Sequence, residues 1–555
     1  MHGVNHGAEW TRPEYGLQQR YGHAPIPGGA RDVPSAFAAT VARVPDAMAL
    51  IGRHARYTYR ELDAAVGAAA AALQGLGVRS GDRVAATTIN DPDLVIAFLA
   101  AMRIGAIWAG VNRALAPPEK AYQLNYAGAK VYLADRESIA QIKGVGGDFP
   151  ELLHIVDMEP GAADSDWAGM MTAYRNVAPP EAQIDPDAPA GLGFTSGTTG
   201  LPKGAVHSQH NMLTVAVSRH AGLRGPVWRP DMRTGVTLPL TILNMMVLDV
   251  VTPFSGGGSL VCMDRLDALG VAEWIETEQV ETISLAPATA FDLIAKPEIT
   301  PKALATLVAP VAGGAKVTDE LRAMYREKFG RFLITGYGLT EAPTSVSSIW
   351  EGRPAPPQSV GRAAPHLDVR ILDAEGREAP ANEAGEICVR AANEGPWANV
   401  YTCMLGYWRR PEETEKTLKD GWLHTGDIGV LDAEGDLFIK DRLKELIIRG
   451  GANIYPAEIE RVLTMDPRVR EAAVIGRPDA RLGETVLAVI ELAAGAPPPA
   501  EMRKTLEQLC LAQLAKYKLP VDWVFVDEMP RNAMNKVVKP RLRELYATAE
   551  PAAET

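Results

Sequence analysis

Gly191-Leu-Gly-Phe-Thr-Ser-Gly-Thr-Thr-Gly-Leu-Pro-Lys-Gly204 carries more of the reading than any other stretch of the chain. Gly191 to Thr195 is short and apolar, as a buried strand should be. The loop behind it brings together Gly197, Gly200 and Gly204, the hydroxyls of Thr195, Ser196, Thr198 and Thr199, and the cation of Lys203. Glycines permit close backbone approach and left-handed dihedrals. Successive main-chain N–H groups, hydroxyls and an ammonium together suit a polyphosphate. No Gly-Lys-Ser/Thr triplet closes the loop, so it is not the P-loop motif. The alternation of helix and strand periods in residues 59 to 111 predicts the α/β layer structure in which such a strand would sit.

The flanking sequence agrees. Tyr59 to Leu76 has the spacing of an amphipathic helix, Arg83 to Thr88 that of a short strand and Pro92 to Ile104 that of a second helix. Further strands are expected at Lys130 to Ala134, Gly235 to Leu238, Thr282 to Ala286 and Leu307 to Val311. The 555 residues leave room for three or four structural units. Residues 1–440 read as a large multi-layer domain of mixed sheets and helices. From residue 440 to 545, 18 Lys and Arg stand against 15 Asp and Glu, whereas the whole chain carries a formal charge of −12. Within this relatively basic piece Pro456 to Leu463 reads as a helix and Glu471 to Ile475 as a strand, which predicts a small α+β domain over residues 441–555.

Several classes are excluded by composition. The negative balance argues against nucleic-acid binding, which draws on Lys and Arg to neutralise phosphates. Cys262, Cys388, Cys403 and Cys510 are too few and too scattered for a disulfide framework or a zinc site of paired spacing. Met1 to Gly16 lacks the apolar core of a secretory signal. Ile96 to Val111 is apolar but is interrupted by Arg103 and falls short of the ~20 residues of a membrane span. A cytoplasmic protein without a membrane span is expected.

Five more motifs follow the loop in order: Gly336-Tyr-Gly-Leu-Thr-Glu341, Trp422-Leu-His-Thr-Gly-Asp427, Asp441-Arg-Leu-Lys444, Gly450-Gly-Ala-Asn-Ile-Tyr-Pro456 and Pro530-Arg-Asn-Ala-Met-Asn-Lys536. With Thr195 to Gly204 they resemble, across roughly residues 35 to 545, the adenylate-forming enzymes. That superfamily includes acyl-CoA synthetases, luciferases and peptide-synthetase adenylation domains. The likeness is greatest to medium-chain, long-chain or aryl acyl-CoA synthetases, and fatty acid metabolism is the context it suggests.

The resemblance implies a two-step reaction that uses ATP, Mg²⁺ and CoA. A carboxylate attacks the α-phosphate of ATP, releasing pyrophosphate, and the CoA thiol then displaces AMP from the acyl-AMP. By the same resemblance, Thr195, Ser196, Gly197, Thr198, Thr199, Gly200 and Lys203 would hold the β- and γ-phosphates, Thr340 would donate to the α-phosphate, and Glu341 with Thr195 would bind Mg²⁺. Tyr337, between Gly336 and Gly338, would stack on adenine against a wall of Gly313, Gly314 and Ala315. Asp427 and Arg442 would bind ribose, Lys536 would be the adenylation lysine, and Lys444 would be the pivot of a mobile C-terminal domain. Gly450, Gly451 and Ala452 would line the pantetheine tunnel, with Lys518 near a CoA phosphate. One departure stands out, because Asn535 replaces the glycine that usually precedes the lysine; Asn tolerates positive φ better than most residues.

The position equivalent to Gly338 carries a tryptophan in acetate-type members, so its glycine predicts a pocket for an acid larger than propionate. Leu238 to Met246 corresponds to the pocket wall, where Ile242 stands in place of a frequent histidine, flanked by Asn244, Met245 and Met246. No acidic residue in that segment precedes Asp249, which disfavours an amino acid, whose buried ammonium would lack a partner. The expected partners are therefore an apolar carboxylic acid, ATP and CoA, with the chain a monomer or homodimer. An acyl-AMP ligase that loads a carrier protein, or a luciferase-like oxidation of the adenylate, are the alternatives. His207 and His210 are spaced for one helix face and no third metal ligand accompanies them, so a helix after the phosphate loop accounts for both. No Gly-x-Ser-x-Gly turn of a serine hydrolase occurs, and Gly256-Gly-Gly258 reads as a turn.

Overall fold

The computed structural model describes residues 15–18, 23–178, 182–195, 202–220, 229–314, 317–342, 344–349, 352–353, 355–442, 445–449, 452–479, 482–514, 516–532 and 536–547. Of Asp441, Arg442, Ala452, Asn453, Gly483 and Tyr517 only the main chain is described. The chain divides into two compact units: Met1–Val369 with Cys388–Thr425 and Gly435–Leu437, and Arg370–Ile387 with Gly426–Glu434 and Phe438–Thr555.

Apolar runs too short for helices become parallel strands in the first unit, the central ones buried on both faces, as at Ile107–Gly110 and Val131–Ala134. One sheet of seven strands has the order Gly406–Tyr407, Lys203–Ser208, Pro189–Thr195, Ile107–Gly110, Arg83–Thr87, Val131–Ala134, His154–Asp157. A second, of nine, runs Arg362–Ala363, Ser347–Ile349, Ile334–Tyr337, Ala309–Ala312, Thr282–Leu285, Arg233–Val236, Ser259–Cys262, Met48–Ile51, Arg56–Thr58. The helices Tyr59–Gly75, Pro92–Arg103 and Gln209–His220 and the π-helix Met246–Val251 lie between them, because one core joins Val84, Trp108 and Ala190 of the first sheet to Leu50, Val236 and Leu260 of the second.

Local chemistry sets the ends of these helices. Thr58 and Glu61 cap each other reciprocally at the start of Tyr59–Gly75, and Asp91 caps Pro92–Arg103 with proline in its first turn. Every residue from Leu94 to Met102 is buried, so the long apolar run is a helix enclosed between two sheets that leads to the buried strand Ile107–Gly110. Among the described residues no helix is long and apolar enough to cross a membrane.

The expected strands and helices recur within a residue or two of their positions, except that the strand expected at Glu471 to Ile475 extends over Val469–Asp479. Gly257 takes φ +97° and ends the short helix Thr252–Gly256, so Gly256 to Gly258 is a turn. All four cysteines are buried and free. One expectation is corrected: His207 lies in the strand Lys203–Ser208 and only His210 is helical, so the two do not share a helix face.

In the second unit the strands Ala452–Ile454, Ile447–Arg449, Gly483–Leu492 and Val469–Asp479 pair in that order, with Asp522–Val526 parallel to Gly483–Leu492. Helices Pro456–Leu463 and Pro499–Gln513 pack on this sheet through Ile459, Val462, Met502 and Leu506. The architecture is thus a large mixed α/β part with several sheets and a smaller α+β part, as expected.

Candidate active site

The phosphate-loop motif is the connection of an antiparallel hairpin. Strand Pro189–Thr195 pairs with Lys203–Ser208 so that Thr195 stands opposite Lys203 and Phe194 opposite Gly204. Directly opposed side chains in such a ladder lie about 5 Å apart. The hydroxyl and the cation at the two ends of the loop are therefore fixed side by side by backbone register. Ser196, Gly197, Thr198, Thr199 and Gly200, at the crown, lie outside the described residues.

A third strand completes this corner. Gly406–Tyr407 pairs antiparallel with Ala205 and Val206, and Trp408 N–H donates to the Gly204 carbonyl at 2.8 Å. The Tyr407 ring lies under Lys203, with Nζ 4.9 Å from its centroid. Its hydroxyl donates to Glu341 Oε1 at 2.7 Å. Burial, and next the Glu341 carboxylate, push the Tyr407 phenol up, so it remains a donor. Met404 N–H holds the Glu341 carbonyl at 2.7 Å. A hard-oxygen donor set, the Glu341 carboxylate and the Thr195 hydroxyl, suits Mg²⁺.

Thr340 is placed by two contacts. Its carbonyl accepts from His207 Nε2 at 2.7 Å. A carbonyl cannot donate, so the His207 proton sits on Nε2, and burial pushes this imidazole down to about 4. A Cβ on Gly193 would come within 2.4 Å of Thr340 Cγ2, so the glycine lets the threonine lie directly on the phosphate strand.

Strands Ala309–Ala312 and Ile334–Tyr337 are parallel neighbours, and at their carboxyl ends come Gly313-Gly314 and Tyr337-Gly338. Such a crevice is where α/β sheets bind ligands. A Cβ at Gly313 or Gly314 would meet nothing among the described residues within 4 Å, and Tyr337 is half-buried. Ala315 is outside the described residues.

A Cβ at Gly338 would fall 1.4 Å from the Thr344 carbonyl oxygen, so this path of the loop leaves no room for a side chain there. Thr344 itself is held at φ +75°, an outlier for a β-branched residue. Gly336 is required for a similar reason, with Ser347 O at 2.1 Å from a Cβ.

Asn90 shapes the candidate acyl wall by donating to Leu238 O and accepting from Leu240 N–H. Ile242, Asn244 and Met245 are half-buried, while Leu243 packs on Gly191 and Gly193. This wall therefore adjoins the same strand as Thr340. Asp249, one turn further, is buried, accepts from Ser284 Oγ at 2.9 Å and is pushed up to about 7 by burial.

The second unit carries the remaining candidates. Asp427 is buried in strand Trp422–Leu431, after Gly426, whose N–H donates to Glu386. Lys536 is exposed; its N–H donates to Asn532 Oδ1 and its carbonyl accepts from Asn532 N–H. Lys518 is held by both carboxylate oxygens of Glu458, at 2.7 and 2.8 Å. Lys444, Gly450, Gly451 and Asn535 lie outside the described residues; Arg442 and Ala452 are described as strand backbone only.

Residues 37–408 match the family model described as AMP-binding enzyme, and residues 458–536 match that of the AMP-binding enzyme C-terminal domain. The chain belongs to the AMP-binding enzyme family. It is 33% identical over 500 residues to the indoleacetate–CoA ligase of Aromatoleum aromaticum, covering 88% of this chain and 93% of the relative. It is 32% identical over 517 residues to the long-chain-fatty-acid–CoA ligase FadD13 of Mycobacterium tuberculosis, with 89% and 94% covered. The crystal structure of the anthranilate CoA ligase AuaEII with anthranoyl-AMP superposes with a TM-score of 0.82 at 26% identity, covering 94% of this chain and 98% of that one. The AMP-binding enzyme described here is an ATP-dependent, AMP-forming carboxylate–CoA ligase that uses ATP, Mg²⁺ and CoA.

Tyr407, His207 and Asn90 bond to candidate site residues or their neighbours and were not singled out from sequence as site residues. Tyr407 lies 66 positions from its partner Glu341 and in no motif, so no spacing signal points to it. His207 stood in view, but its partner is a main-chain carbonyl 133 positions away.

Proposed function

We propose that this enzyme activates an apolar carboxylic acid larger than propionate and transfers the acyl group to CoA. The half-buried wall of Ile242, Asn244 and Met245 carries the reading, since Leu238 to Met246 contains no ionisable side chain to meet a charged substrate tail. The carboxylate attacks the α-phosphorus, pyrophosphate leaves, and the thiol then attacks the acyl carbonyl with AMP as leaving group. Both steps call on positioning and charge stabilisation rather than a protein nucleophile.

In this reading Lys203 and the loop hydroxyls hold the β- and γ-phosphates, Thr340 the α-phosphate, and Glu341 with Thr195 the Mg²⁺ that neutralises them. Tyr337 and the two glycines take the adenine, Asp427 and Arg442 the ribose. A boundary at residues 440/441 with its pivot at Lys444 separates a domain that serves both steps from a smaller one that turns between them. Lys536 serves adenylation, and Gly450, Gly451 and Ala452 leave room for pantetheine. Lys518 reaches a CoA phosphate only by leaving Glu458.

The test is a panel of carboxylic acids from acetate to long-chain and aryl acids, read first by pyrophosphate release and then by thioester formation with CoA. Preference for acetate over every acid of six or more carbons would refute the apolar-acid reading. An adenylate that free CoA fails to consume would point to another acceptor.

A further inference from the structure

His210, which the active site leaves unused, lies in the first turn of helix Gln209–His220 and is 4% exposed. Its Nε2 is buried and finds no hydrogen-bond partner, while its other ring nitrogen donates to the main chain of Tyr401. The free lone pair on Nε2 is therefore fixed in direction. Across from it lies His23, ring centroids 4.0 Å apart and tilted by 38°. His23 Nδ1 meets the Ala24 carbonyl at 3.0 Å, so that nitrogen carries hydrogen, and Nε2 meets Asp187 Oδ1 at 2.7 Å. Main-chain bonds hold the group together: His210 N–H donates to Pro186 O, and Ala24 N–H to Asn399 O.

Without a cation the three groups are poorly matched. His23 can satisfy both neighbours only as an imidazolium, and that charge leaves the His210 lone pair buried with nothing to accept from. We propose that His23, Asp187 and His210 form a binding site for a divalent transition metal, Zn²⁺ as the working ion, that fastens the chain around His23 to the helix following the phosphate hairpin.

The donor chemistry fits. Two neutral imidazoles and a carboxylate are a familiar zinc set, and an imidazole ligand usually gives its other N–H to a carbonyl or carboxylate. Both histidines already do so, to Ala24 and Tyr401. The three ligand atoms lie within 4.8 Å of one another. Zinc bonds of ~2.0–2.1 Å in tetrahedral geometry set ligand atoms roughly 3.3 Å apart, so modest side-chain shifts close the site. His23 and Asp187 keep 14% and 19% side-chain exposure, which gives the ion an entry path and a water for its fourth position. The sequence showed only His207 and His210, because the other two ligands, His23 and Asp187, lie on separate loops far apart in sequence, with no ligand spacing between them.

The test titrates metal-free full-length protein with Zn²⁺, counts bound metal by mass spectrometry after desalting, and follows the melting temperature. Co²⁺ serves as a second probe through its visible absorption. One equivalent per chain is expected, with a melting temperature that rises until that equivalent is reached. His23→Ala and Asp187→Asn should each lose the equivalent and the Co²⁺ spectrum, with circular dichroism showing the fold kept; His54→Ala, at an exposed histidine elsewhere, should retain both. A wild-type chain that takes up no Zn²⁺, or binding that survives in His23→Ala and Asp187→Asn, overturns the proposal.

Discussion

A single hydroxyl does much to place the candidate metal ligand. Tyr407→Phe keeps the ring beneath Lys203 and removes only the O–H given to Glu341. A hydrogen bond to a charged group is worth ~1.5–3 kcal/mol, so adenylation should fall about tenfold to a hundredfold. Pyrophosphate release across a Mg²⁺ titration measures this, with part of the loss recovered at high Mg²⁺; rates equal to wild type throughout would mean that Tyr407 does not position Glu341. At Gly338 the outcome differs from a change in acid preference. Gly338→Ala sets a Cβ against the Thr344 carbonyl, so the melting temperature should drop and activity with every acid should fall together. Ile242→Trp is the sharper probe of the wall: long acids should lose kcat/KM relative to short ones, with little change in melting temperature. A glycine in a motif reads from sequence as open space, and only the path of the loop reveals that a carbonyl fills it.

Elements were legible where burial is one-sided or complete, and blurred where two elements meet. The strand at Val131–Ala134 and the helix at Pro92–Arg103 appear as plain apolar runs because layers cover them on both sides. The junction at Ser208/Gln209 is different, because a spacing of three residues across it mimics one helix face. The strand before that junction and the end of the helix after it carry a pH dependence. His207 and His220 are both pushed down to about 4, mainly by burial. Their folded values lie below the ordinary 6.5, so the unfolded chain binds protons first as pH falls. Their stabilisation is fully present above about pH 6.5 and is lost progressively toward about pH 4, by up to about 3 kcal/mol for the fully buried His207. Asp249, raised to about 7, moves stability the opposite way over the same range, so the readout is the difference between wild type and His207→Gln in urea denaturation at about pH 7.5 and about pH 5. His207→Gln, which can still donate to Thr340 O, should be less stable at the higher pH, with the gap to wild type narrowing at the lower; a gap equal at both pH values would contradict the assignment.

At the scale of the whole molecule, motif order was the strongest signal, and it covers both steps of the reaction. The family match over residues 37–408 and 458–536 follows the same order. What order cannot supply is which motif acts when, and this is where the last prediction belongs. We take Lys536 to be a cation needed only while carboxylate and α-phosphate react. Losing one such charge from a transition state typically costs ~10²–10³ in rate, so Lys536→Ala should slow acyl-AMP formation by that factor. Supplied with chemically prepared acyl-AMP, the same variant should make acyl-CoA at close to the wild-type rate. Gly451→Trp should do the opposite, sparing pyrophosphate release while an indole obstructs the thiol. Lys444→Pro, which restricts φ at the pivot, should resemble Gly451→Trp rather than Lys536→Ala. Each variant is measured in each half-reaction, with thermal melts confirming that it folds. If Lys536→Ala slows both half-reactions alike, the lysine serves the thioester step as well, and assigning the C-terminal motifs to separate steps fails; if Gly451→Trp leaves thioester formation intact, pantetheine passes elsewhere.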